Sequence, residues 1–476
     1  MTDWNGRRVL ILGAARQGAA LARWLARHGA VVTLSDTRPE ADLSKTRQAL
    51  RDLAITWALG GHPLELLDTT DVVCLSGGVP TSIPIVQEAM RRGIPLSNDT
   101  QIFMEVVPCR TVGITGSAGK TTTTALLGEM AHLAFDQHDD SGAPNGSQHG
   151  KRAYVGGNIG DPLLNHVDQM QSGDVAVLEI SSFQLEQMTL SPNVAAVLNI
   201  TPNHLDRHGT MQAYTAAKRR ILEFQEPADQ AVLGRDDPGA WGLRESVRGG
   251  LHTFGISHFD GPGDGTYYGD GILYLLDRGV DIPLLRREQV QLRGDHNVLN
   301  VLAAFAIGHA VGLPLAAMLQ AAEAFRGMPH RLELVRELGG VRWYDDSIAT
   351  TPERVEAAVE SYGEPIVLLL GGRDKDLPWE ELADLVRRRV DHVVLFGEAR
   401  GKIRQALGSS SPTGEDGQKP YSIDTVARLR DAVIRAHQVA QQGDVVLLSP
   451  GGTSFDEFKD FEERGLRFRE WVQELS

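Results

Sequence analysis

The sequence contains little cysteine, few aromatic residues and no long apolar run. Of its 476 residues only two are cysteines, Cys74 and Cys109, and aromatic residues make up 6%. Cys74 falls in an apolar segment that resembles a buried strand, so we expect reduced thiols and no disulfide framework. Residues 1–8 are polar and no run of about 18 apolar residues follows. These absences predict a cytoplasmic protein with no secretion signal and no membrane span.

Basic residues are also in deficit. Lys and Arg number 47 against 62 Asp and Glu, which gives a formal net charge of −15. Nucleic acids and anionic membranes are bound by basic surfaces, so we expect neither as a partner. Anionic small molecules remain possible ligands, provided that a local pocket supplies the positive charge. The 42% hydrophobic and 23% charged content, with a mean hydropathy of −0.19, is typical of a globular protein.

Short apolar segments alternate with helix-like segments along the whole chain, which predicts α/β domains with parallel sheets. The length suggests about three domains at ~150 residues each. We place them at residues 1–108 (Rossmann-like), 109–327 (a central P-loop-type ATPase domain) and 328–476 (doubly wound α/β). The stretches 135–151, 260–270 and 408–419 are polar or rich in Gly and Asp, and are predicted to be irregular.

The strongest motif is a glycine-rich segment that begins at Gly113 and ends at Lys120-Thr121, between an apolar strand and a helix. Backbone N–H groups of such a loop form an anion cradle with the helix N-terminus, while the lysine adds charge and the threonine hydroxyl can bind Mg²⁺. Its glycines are three apart, which departs from the strict Walker spacing. The nucleotide-binding candidates here are Gly113, Thr115, Gly116, Ser117, Ala118, Gly119, Lys120, Thr121 and Thr122.

Three further polar residues follow apolar segments downstream. Glu179 ends a strand, where a carboxylate can face the phosphate site and bind Mg²⁺. His204 follows another strand, and Lys218 lies on a helix with small Ala neighbours. Each has an ordinary alternative: a strand-end glutamate need not bind metal, a histidine is more often a structural hydrogen-bonder, and a helix lysine is usually solvated.

The N-terminal turn, from Gly13 to Gly18 with Asp36 about twenty residues on, is nearly a dinucleotide fingerprint. Ala15 replaces the middle glycine of that fingerprint, so a pyrophosphate can approach the backbone less closely. Both a nicotinamide dinucleotide and another nucleotide remain possible ligands of this turn.

Taken together, the glycine-rich loop, Glu179, Asn203-His204 and Lys218 resemble the Mur ligase family, which includes the relative folylpolyglutamate synthase. Matching motifs occur in all three segments, so the resemblance covers the chain. They are Gly156-Gly157-Asn158-Ile159-Gly160, Glu179 to Gln184, Gly294-Asp295-His296-Asn297, Pro329-His330-Arg331, Asp345-Asp346-Ser347, Gly371-Gly372-Arg373-Asp374-Lys375 and Ser449 to Asp456.

The resemblance implies ATP as a substrate and two Mg²⁺ ions, with Lys120, His204 and Lys218 as catalytic residues. The metal ligands would be Thr121, Glu179, His204 and a carbamylated Lys218. It implies contacts with the adenine nucleotide from Asn297, Arg331 and Asp346. It implies contacts with a UDP-linked substrate from Gly13, Gly18, Asp36, Thr37, Arg38, Gly78, Asn158 and Gln184. Glutamate would be bound by Thr350, Lys375, Ser454 and Phe461.

The function that the resemblance implies is an ATP-dependent ligase of peptidoglycan precursor synthesis. It would add D-glutamate to UDP-N-acetylmuramoyl-L-alanine through an acyl phosphate, and we expect a monomer. Ile348 stands where many such relatives carry Lys, so L-glutamate remains an alternative. A folylpolyglutamate synthase-like ligase and a nicotinamide oxidoreductase are further alternatives. The Asp-Asn-Pro-Arg motif of the ligases that add diaminopimelate or lysine is absent.

Overall fold

The computed structural model describes residues 3–136, 150–259, 261, 263–375, 377–408 and 419–476. The chain forms two compact units. One comprises Met1–Val290 with Asp295–Phe325, and the other Gln291–Gly294 with Arg326–Ser476. Most of the polar stretches predicted at 135–151 and 408–419 lie outside the described residues.

The first sheet has five parallel strands in the order β3-β2-β1-β4-β5. Its central strands are largely aliphatic and buried beyond their first residues, and hydrophobic clusters form around them. This all-parallel order confirms the predicted Rossmann-like N-terminal segment. The strands are β1 (Arg8–Leu12), β2 (Val31–Asp36), β3 (Ile55–Leu59), β4 (Val72–Leu75) and β5 (Leu96–Asn98), and the helices are α1 (Arg16–Arg27), α2 (Ser44–Ala49), α3 (Pro84–Arg91) and α4 (Asp99–Val106).

The second sheet has nine strands in the order β14-β13-β12-β11-β10-β9-β6-β8-β7. Strands β6 to β12 are parallel, whereas β13 and β14 run antiparallel. The strands are β6 (Arg110–Thr115), β7 (Ala153–Gly157), β8 (Val175–Glu179), β9 (Val194–Val197), β10 (Gln230–Gly234), β11 (Gly250–Gly255), β12 (Asp264–Gly269), β13 (Ile272–Asp277) and β14 (Val280–Arg286). The helices are α5 (Lys120–Asp136), α6 (Ser182–Leu185), α7 (Leu205–His208), α8 (Met211–Glu223), α9 (Pro238–Trp241), α10 (Asp295–Val311) and α11 (Leu315–Ala324).

The prediction of irregular structure at 260–270 is wrong for Asp264–Gly269, which forms β12. The glycines and aspartates of this segment are typical of loops, but cross-strand contacts override that preference. Tyr267 stacks on Tyr274 of β13, with ring centroids 5.0 Å apart. A Cβ at Gly265 would lie 2.4 Å from the carbonyl oxygen of Thr253, so the close approach of β12 to β11 requires glycine there.

The third sheet has six strands in the order β15-β16-β20-β17-β18-β19, parallel except for the β15–β16 pair. Two hydrophobic clusters cover its two faces, which confirms the doubly wound α/β prediction. The strands are β15 (Glu333–Leu338), β16 (Val341–Asp345), β17 (Ile366–Gly371), β18 (His392–Phe396), β19 (Ser422–Thr425) and β20 (Val445–Gly451). The helices are α12 (Pro352–Glu360), α13 (Glu380–Arg389), α14 (Arg400–Leu407), α15 (Leu429–Val439) and α16 (Phe461–Glu474).

Both cysteines are free, as predicted, and both are buried. Within the described ranges, no helix combines the length and the apolar character needed to cross a bilayer.

Asp99, at the start of α4, supports a prediction about stability. It is 6% exposed, burial raises its pKa to about 6, and its Oδ1 has no hydrogen-bond partner among the described atoms. Folding raises this pKa, so the native state loses stability as the pH rises from about 4 to 6. Above that range the loss does not increase further. We expect Asp99→Asn to raise the free energy of unfolding by about 3 kcal/mol near pH 8 and by roughly half that near pH 5. Urea unfolding at both pH values measures this; an equal gain at both would contradict it.

Candidate active site

The glycine-rich loop joins β6 to α5, and neighbouring side chains fix its shape. The backbone N–H of Ser117 donates to the Asn199 carbonyl at 3.0 Å, and that of Ala118 donates to Asn199 Oδ1 at 2.8 Å. Gly119 has a φ of +83°, and a Cβ there would lie 2.2 Å from Asn300 Oδ1. Glycine is therefore required at 119 both by backbone conformation and by space. The loop ends at a 17-residue helix, the arrangement that binds phosphate groups.

Lys120 and Thr121 begin that helix. The Lys120 Nζ donates to the carbonyl oxygens of Gly116 at 2.7 Å and Ser117 at 3.1 Å, so the lysine lies against the loop. The Thr121 hydroxyl donates to Glu179 Oε2 at 2.8 Å. One side chain thus places positive charge on the anion cradle, and the next connects the cradle to a carboxylate.

Glu179 ends β8 and is 2% exposed. Its second oxygen, Oε1, accepts from Asn158 Nδ2 at 2.9 Å, while Asn158 also donates its backbone N–H to the Glu179 carbonyl. Three of the residues singled out in the sequence, Thr121, Asn158 and Glu179, therefore form one hydrogen-bonded group. A carboxylate beside a threonine hydroxyl is an oxygen donor set of the kind that Mg²⁺ prefers.

Lys218 lies on α8 and is 1% exposed, so the alternative of a solvated helix lysine is wrong. Its Nζ lies 3.4 Å from Thr115 Oγ1 and 4.7 Å from the centroid of the Tyr214 ring. Among the described residues no carboxylate forms an ion pair with it. Burial, together with the charge of Lys120, lowers the Lys218 pKa to about 6. The amine is therefore mostly uncharged at neutral pH.

Tyr214 connects Lys218 to the loop and was missed by the sequence reasoning. It precedes Lys218 by one helical turn, so the two side chains share a helix face. Its hydroxyl lies 3.1 Å from the Ser117 hydroxyl. The four-residue spacing was visible in the sequence, but an aromatic residue on a helix is usually part of the core.

His204 precedes α7 with a φ of +53°, an uncommon conformation for a non-glycine residue. Its ring centroid lies 5.3 Å from that of Phe183, which follows β8 by four residues. Phe183 also stacks on His208, at 5.0 Å and 2° between ring planes. His204 is therefore packed near Phe183, four residues after Glu179 in the sequence.

His208 is part of a hydrogen-bonded chain that the sequence did not predict. Its Nε2 lies 2.9 Å from Ser182 Oγ, and its Nδ1 lies 3.0 Å from a Glu186 carboxylate oxygen. This chain attaches α7 to α6 and so fixes the segment that carries His204.

Asn297 and Thr122 are the remaining nucleotide-binding candidates of this unit. Asn297, on α10, is buried and its Oδ1 accepts from Asn300 Nδ2 at 2.9 Å. Asn300 in turn lies against Gly119, so α10 adjoins the loop. Thr122 is buried within the first turn of α5.

In the N-terminal sheet, Asp36 ends β2 and faces the turn after β1. Its Oδ2 accepts from the Ala14 N–H at 2.7 Å and pairs with Arg38 at 2.8 Å, and these contacts hold its pKa well below the usual range. A Cβ at Gly18 would lie 1.8 Å from the Gly13 carbonyl oxygen, so the turn requires that glycine. Thr37 is exposed beside Asp36, and Gly78 borders open space after β4.

Both polar atoms of the Gln184 side-chain amide form hydrogen bonds within the protein. Its Nε2 donates to Thr100 Oγ1 at 2.7 Å, and its Oε1 accepts from the Ser181 backbone N–H at 3.0 Å. It thus connects α4 to α6 and lies in the wall of a cavity. That cavity is also lined by Ser76, Gly77, Asn98, Phe183 and Arg207.

In the second unit, the candidate nucleotide residues surround the end of β16. Asp346 is buried and accepts from Ser449 Oγ at 2.7 Å. Burial raises the Asp346 pKa to about 7, against the opposing effect of the Ser449 hydrogen bond and the Arg331 charge. The adjacent Asp345 accepts from His330 Nδ1 at 2.7 Å, which explains why this His is buried.

The four glutamate-binding candidates lie near the ends of β16, β17 and β20. Lys375 Nζ donates to Thr350 Oγ1 at 3.3 Å, while burial and the charges of Arg354 and Arg464 lower the Lys375 pKa. The Phe461 carbonyl accepts from Ser347 Oγ at 2.8 Å. Ser454 is buried in the turn after β20, where the N–H groups of Glu457 and Phe458 donate to its carbonyl.

Arg464 organises this region and was not predicted. It is fully buried, donates to the Ser347 carbonyl at 2.8 Å and the Gly452 carbonyl at 3.0 Å, and burial lowers its pKa to about 10. An arginine on an amphipathic helix gives no sequence signal of burial, because it is usually exposed.

A phosphate-binding loop with an adjacent strand-end carboxylate, on a parallel sheet, defines a nucleotide-binding site of the P-loop type. Three family profiles then match consecutive parts of the chain. They are the MurD-like N-terminal domain of Mur ligases at residues 7–98, the Mur ligase middle domain at 114–308 and the Mur ligase glutamate ligase domain at 330–452. The chain belongs to the Mur ligase family.

Relatives match over nearly the whole length. The UDP-N-acetylmuramoylalanine–D-glutamate ligase of Symbiobacterium thermophilum is 37% identical, over 98% of each chain. That of Geobacter metallireducens is 40% identical, over 99% of this chain and 98% of the relative. Among solved structures, the UDP-N-acetylmuramate–alanine ligase of Thermotoga maritima is 20% identical, covers 98% of this chain and 99% of that one, and has a TM-score of 0.54. The pseudomurein peptide ligase type C of Methanothermus fervidus is 17% identical, with coverage of 99% and 100% and a TM-score of 0.53. These two structures share the fold.

Proposed function

We propose that the chain is an ATP-dependent ligase that joins D-glutamate to UDP-N-acetylmuramoyl-L-alanine in peptidoglycan precursor synthesis. The observation that carries this function is the match, at 35–40% identity over nearly the full length, to relatives that all bear the name of that ligase. We further propose that it acts as a monomer in the cytoplasm.

In the reaction, the γ-phosphoryl group of ATP is transferred to the carboxylate of the alanyl substrate, leaving ADP and an acyl phosphate. The amine of glutamate attacks the acyl carbon, the tetrahedral intermediate releases inorganic phosphate, and the amine loses a proton. This reaction requires little covalent chemistry from the protein, so catalysis depends on positioning the substrates and on stabilising charge in the transition state. Lys120, held on the loop by Gly116 and Ser117, supplies positive charge to the transferring phosphoryl group.

The donor set fits Mg²⁺. The Glu179 carboxylate and the Thr121 hydroxyl are in contact and both are oxygen donors. His204 follows β9, which pairs with β6, the strand before the loop. Lys218 as an ammonium would not suit a cation site, whereas a carbamate would supply two anionic oxygens. When bound, the two Mg²⁺ ions would neutralise charge on the phosphates.

Carbamylation of Lys218 is supported by the state of its amine. Only an uncharged amine reacts with CO₂, and burial at this position keeps the amine mostly uncharged. The reaction forms an N–C bond and releases one proton. Lys120 is close enough to lower the Lys218 pKa, and would stabilise the resulting anion by the same charge.

The other substrate sites are proposed at the remaining candidate residues. For the UDP-linked substrate we propose the turns after β1, β2 and β4, with Asp36, Thr37, Arg38 and Gly78, together with Asn158. For glutamate we propose the pair formed by Lys375 and Thr350, with Ser454 and Phe461. Asn297, Arg331 and Asp346 would contact the adenine nucleotide.

The enantiomer of glutamate is the sharpest test of the function. Ile348, where many relatives carry Lys, donates its backbone N–H to the His330 carbonyl at 3.1 Å and places no cation beside Thr350. Lys375 supplies that charge instead. With UDP-N-acetylmuramoyl-L-alanine and ATP, we expect ADP formation to require D-glutamate. A higher kcat/KM with L-glutamate would overturn the D-glutamate assignment and retain the ligase, whereas no ADP formation with either would overturn both.

A further inference from the structure

Two histidines and two aspartates converge at the edge of the second sheet, away from the glycine-rich loop. His252 lies on β11, Asp264 begins β12, Asp277 ends β13, and His309 is in the last turn of α10. One ring nitrogen of each histidine and one carboxylate oxygen of Asp264 all lie within 4.8 Å of one another. His309 Nε2 is 3.6 Å from Asp264 Oδ2 and 3.6 Å from Asp277 Oδ1.

The tautomer of His252 favours metal binding. Its Nε2 lies 3.1 Å from Gln230 Oε1, which can only accept, so Nε2 carries the proton and Nδ1 carries the lone pair. That Nδ1 is buried and has no hydrogen-bond partner among the described atoms. A histidine that donates one ring N–H to an oriented acceptor, and keeps the other nitrogen unprotonated, is arranged as metal ligands are.

Gln230 is itself held in place. A Cβ at Gly250 would lie 2.0 Å from Gln230 Oε1, so the side chain occupies space that only glycine leaves. Gln230 Nε2 donates to the Ala228 carbonyl at 3.4 Å, which agrees with the assigned orientation of the amide.

The geometry of the group fits one divalent ion. Two imidazoles and a carboxylate are donors of the kind that such an ion binds in proteins, and Asp277 lies beside His309. In a tetrahedral zinc site with bonds of about 2.0–2.2 Å, neighbouring donor atoms are roughly 3.3–3.6 Å apart, close to the separations from His309 Nε2. A set with two imidazoles among its donors suits Zn²⁺ better than Mg²⁺, which prefers a set made mainly of oxygen donors.

We propose that His252, Asp264 and His309 form a structural Zn²⁺ site, with Asp277 beside His309, that is distinct from the ligase centre and independent of the proposed function. The ion would connect β11 and β12 to the C-terminal end of α10. The opposite half of α10 carries Asn300, which lies against Gly119 of the glycine-rich loop. The site would therefore hold the helix that supports the loop.

The test uses the full-length protein, stripped with a chelator, gel-filtered with Zn²⁺ and then assayed for bound zinc. We expect one equivalent to be retained, and the melting temperature to rise by about 4 °C when free Zn²⁺ is a hundredfold above its dissociation constant. His309→Gln and His252→Gln should each lose that equivalent and the rise. Co²⁺ in place of Zn²⁺ should show the visible absorption of a tetrahedral site, and His309→Gln should abolish it.

Two matched variants test whether the zinc is bound at the proposed site rather than elsewhere on the protein. His258→Gln changes another partly exposed histidine beside a carboxylate on the same sheet, 3.5 Å from Asp281, and should retain the zinc. Glu179→Gln alters the proposed Mg²⁺ ligands and should retain it as well. The proposal is overturned if the wild-type protein retains no zinc. It is equally overturned if Glu179→Gln loses the equivalent while both histidine variants keep it.

Discussion

Replacing Lys120 by Ala is expected to reduce kcat/KM for ATP by roughly 10²–10³-fold or more, the usual cost of removing one preorganised charge from a transition state. The Nζ of Lys120 lies 2.7 Å from the Gly116 carbonyl, within the loop that would hold the phosphates. Truncation removes a cation that lies against the loop. The measurement is ADP release under steady-state conditions.

A matched control distinguishes the effect of losing the charge at the loop from the effect of losing a lysine elsewhere. Lys45→Ala removes an exposed lysine from α2 and should leave turnover unchanged. Lys120→Arg retains the charge but not the compact ammonium, so we expect partial activity. Turnover of Lys120→Ala near that of the wild type, in a protein with an unchanged melting temperature, would refute the assignment.

The elements around Lys120 were predictable because their signals are local. The apolar run before Gly113, the spaced glycines and the helix-forming residues after Thr121 specify strand, loop and helix in order. The convergence of Thr121 and Glu179 also followed, because parallel strands bring their carboxyl ends to one edge of a sheet. The contact between them at 2.8 Å agrees with that inference.

Other features depended on contacts between distant parts of the chain. Arg464 is buried where the Ser347 and Gly452 carbonyls accept its hydrogen bonds, and Ser347 is 117 residues away in the sequence. Strand β12 forms through pairing with β11 and β13, against its own composition. Gln184 was singled out for substrate binding, and the sequence contained no indication that Thr100 would engage its amide.

The environment of Lys218 was only partly predictable. Small Ala neighbours indicated close packing of α8, which the structure confirms. That packing leaves the amine beside Thr115 and the Tyr214 ring, with no acidic partner among the described residues. An unpaired ammonium in such a place is costly, whereas a neutral amine or a metal-bound carbamate is not.

Replacing Lys218 by Ala is therefore expected to abolish turnover almost completely, because the variant lacks both the amine and the carbamate formed on it. Short carboxylates such as acetate should restore part of the activity, since they can occupy the vacated space and supply anionic oxygens to Mg²⁺. Lys218→Arg, which keeps a long cationic side chain and cannot form this carbamate, should remain inactive with or without CO₂.

The form of the rescue decides which chemistry Lys218 performs. ADP release by Lys218→Ala is measured with increasing acetate, with chloride at the same ionic strength as the control, and separately with ethylamine. Wild-type activity should also fall when dissolved CO₂ is removed and recover when bicarbonate is added, because the carbamate is in equilibrium with the free amine. Restoration by ethylamine but not by acetate would mean that the free amine is the working group, and the carbamate assignment would then be wrong.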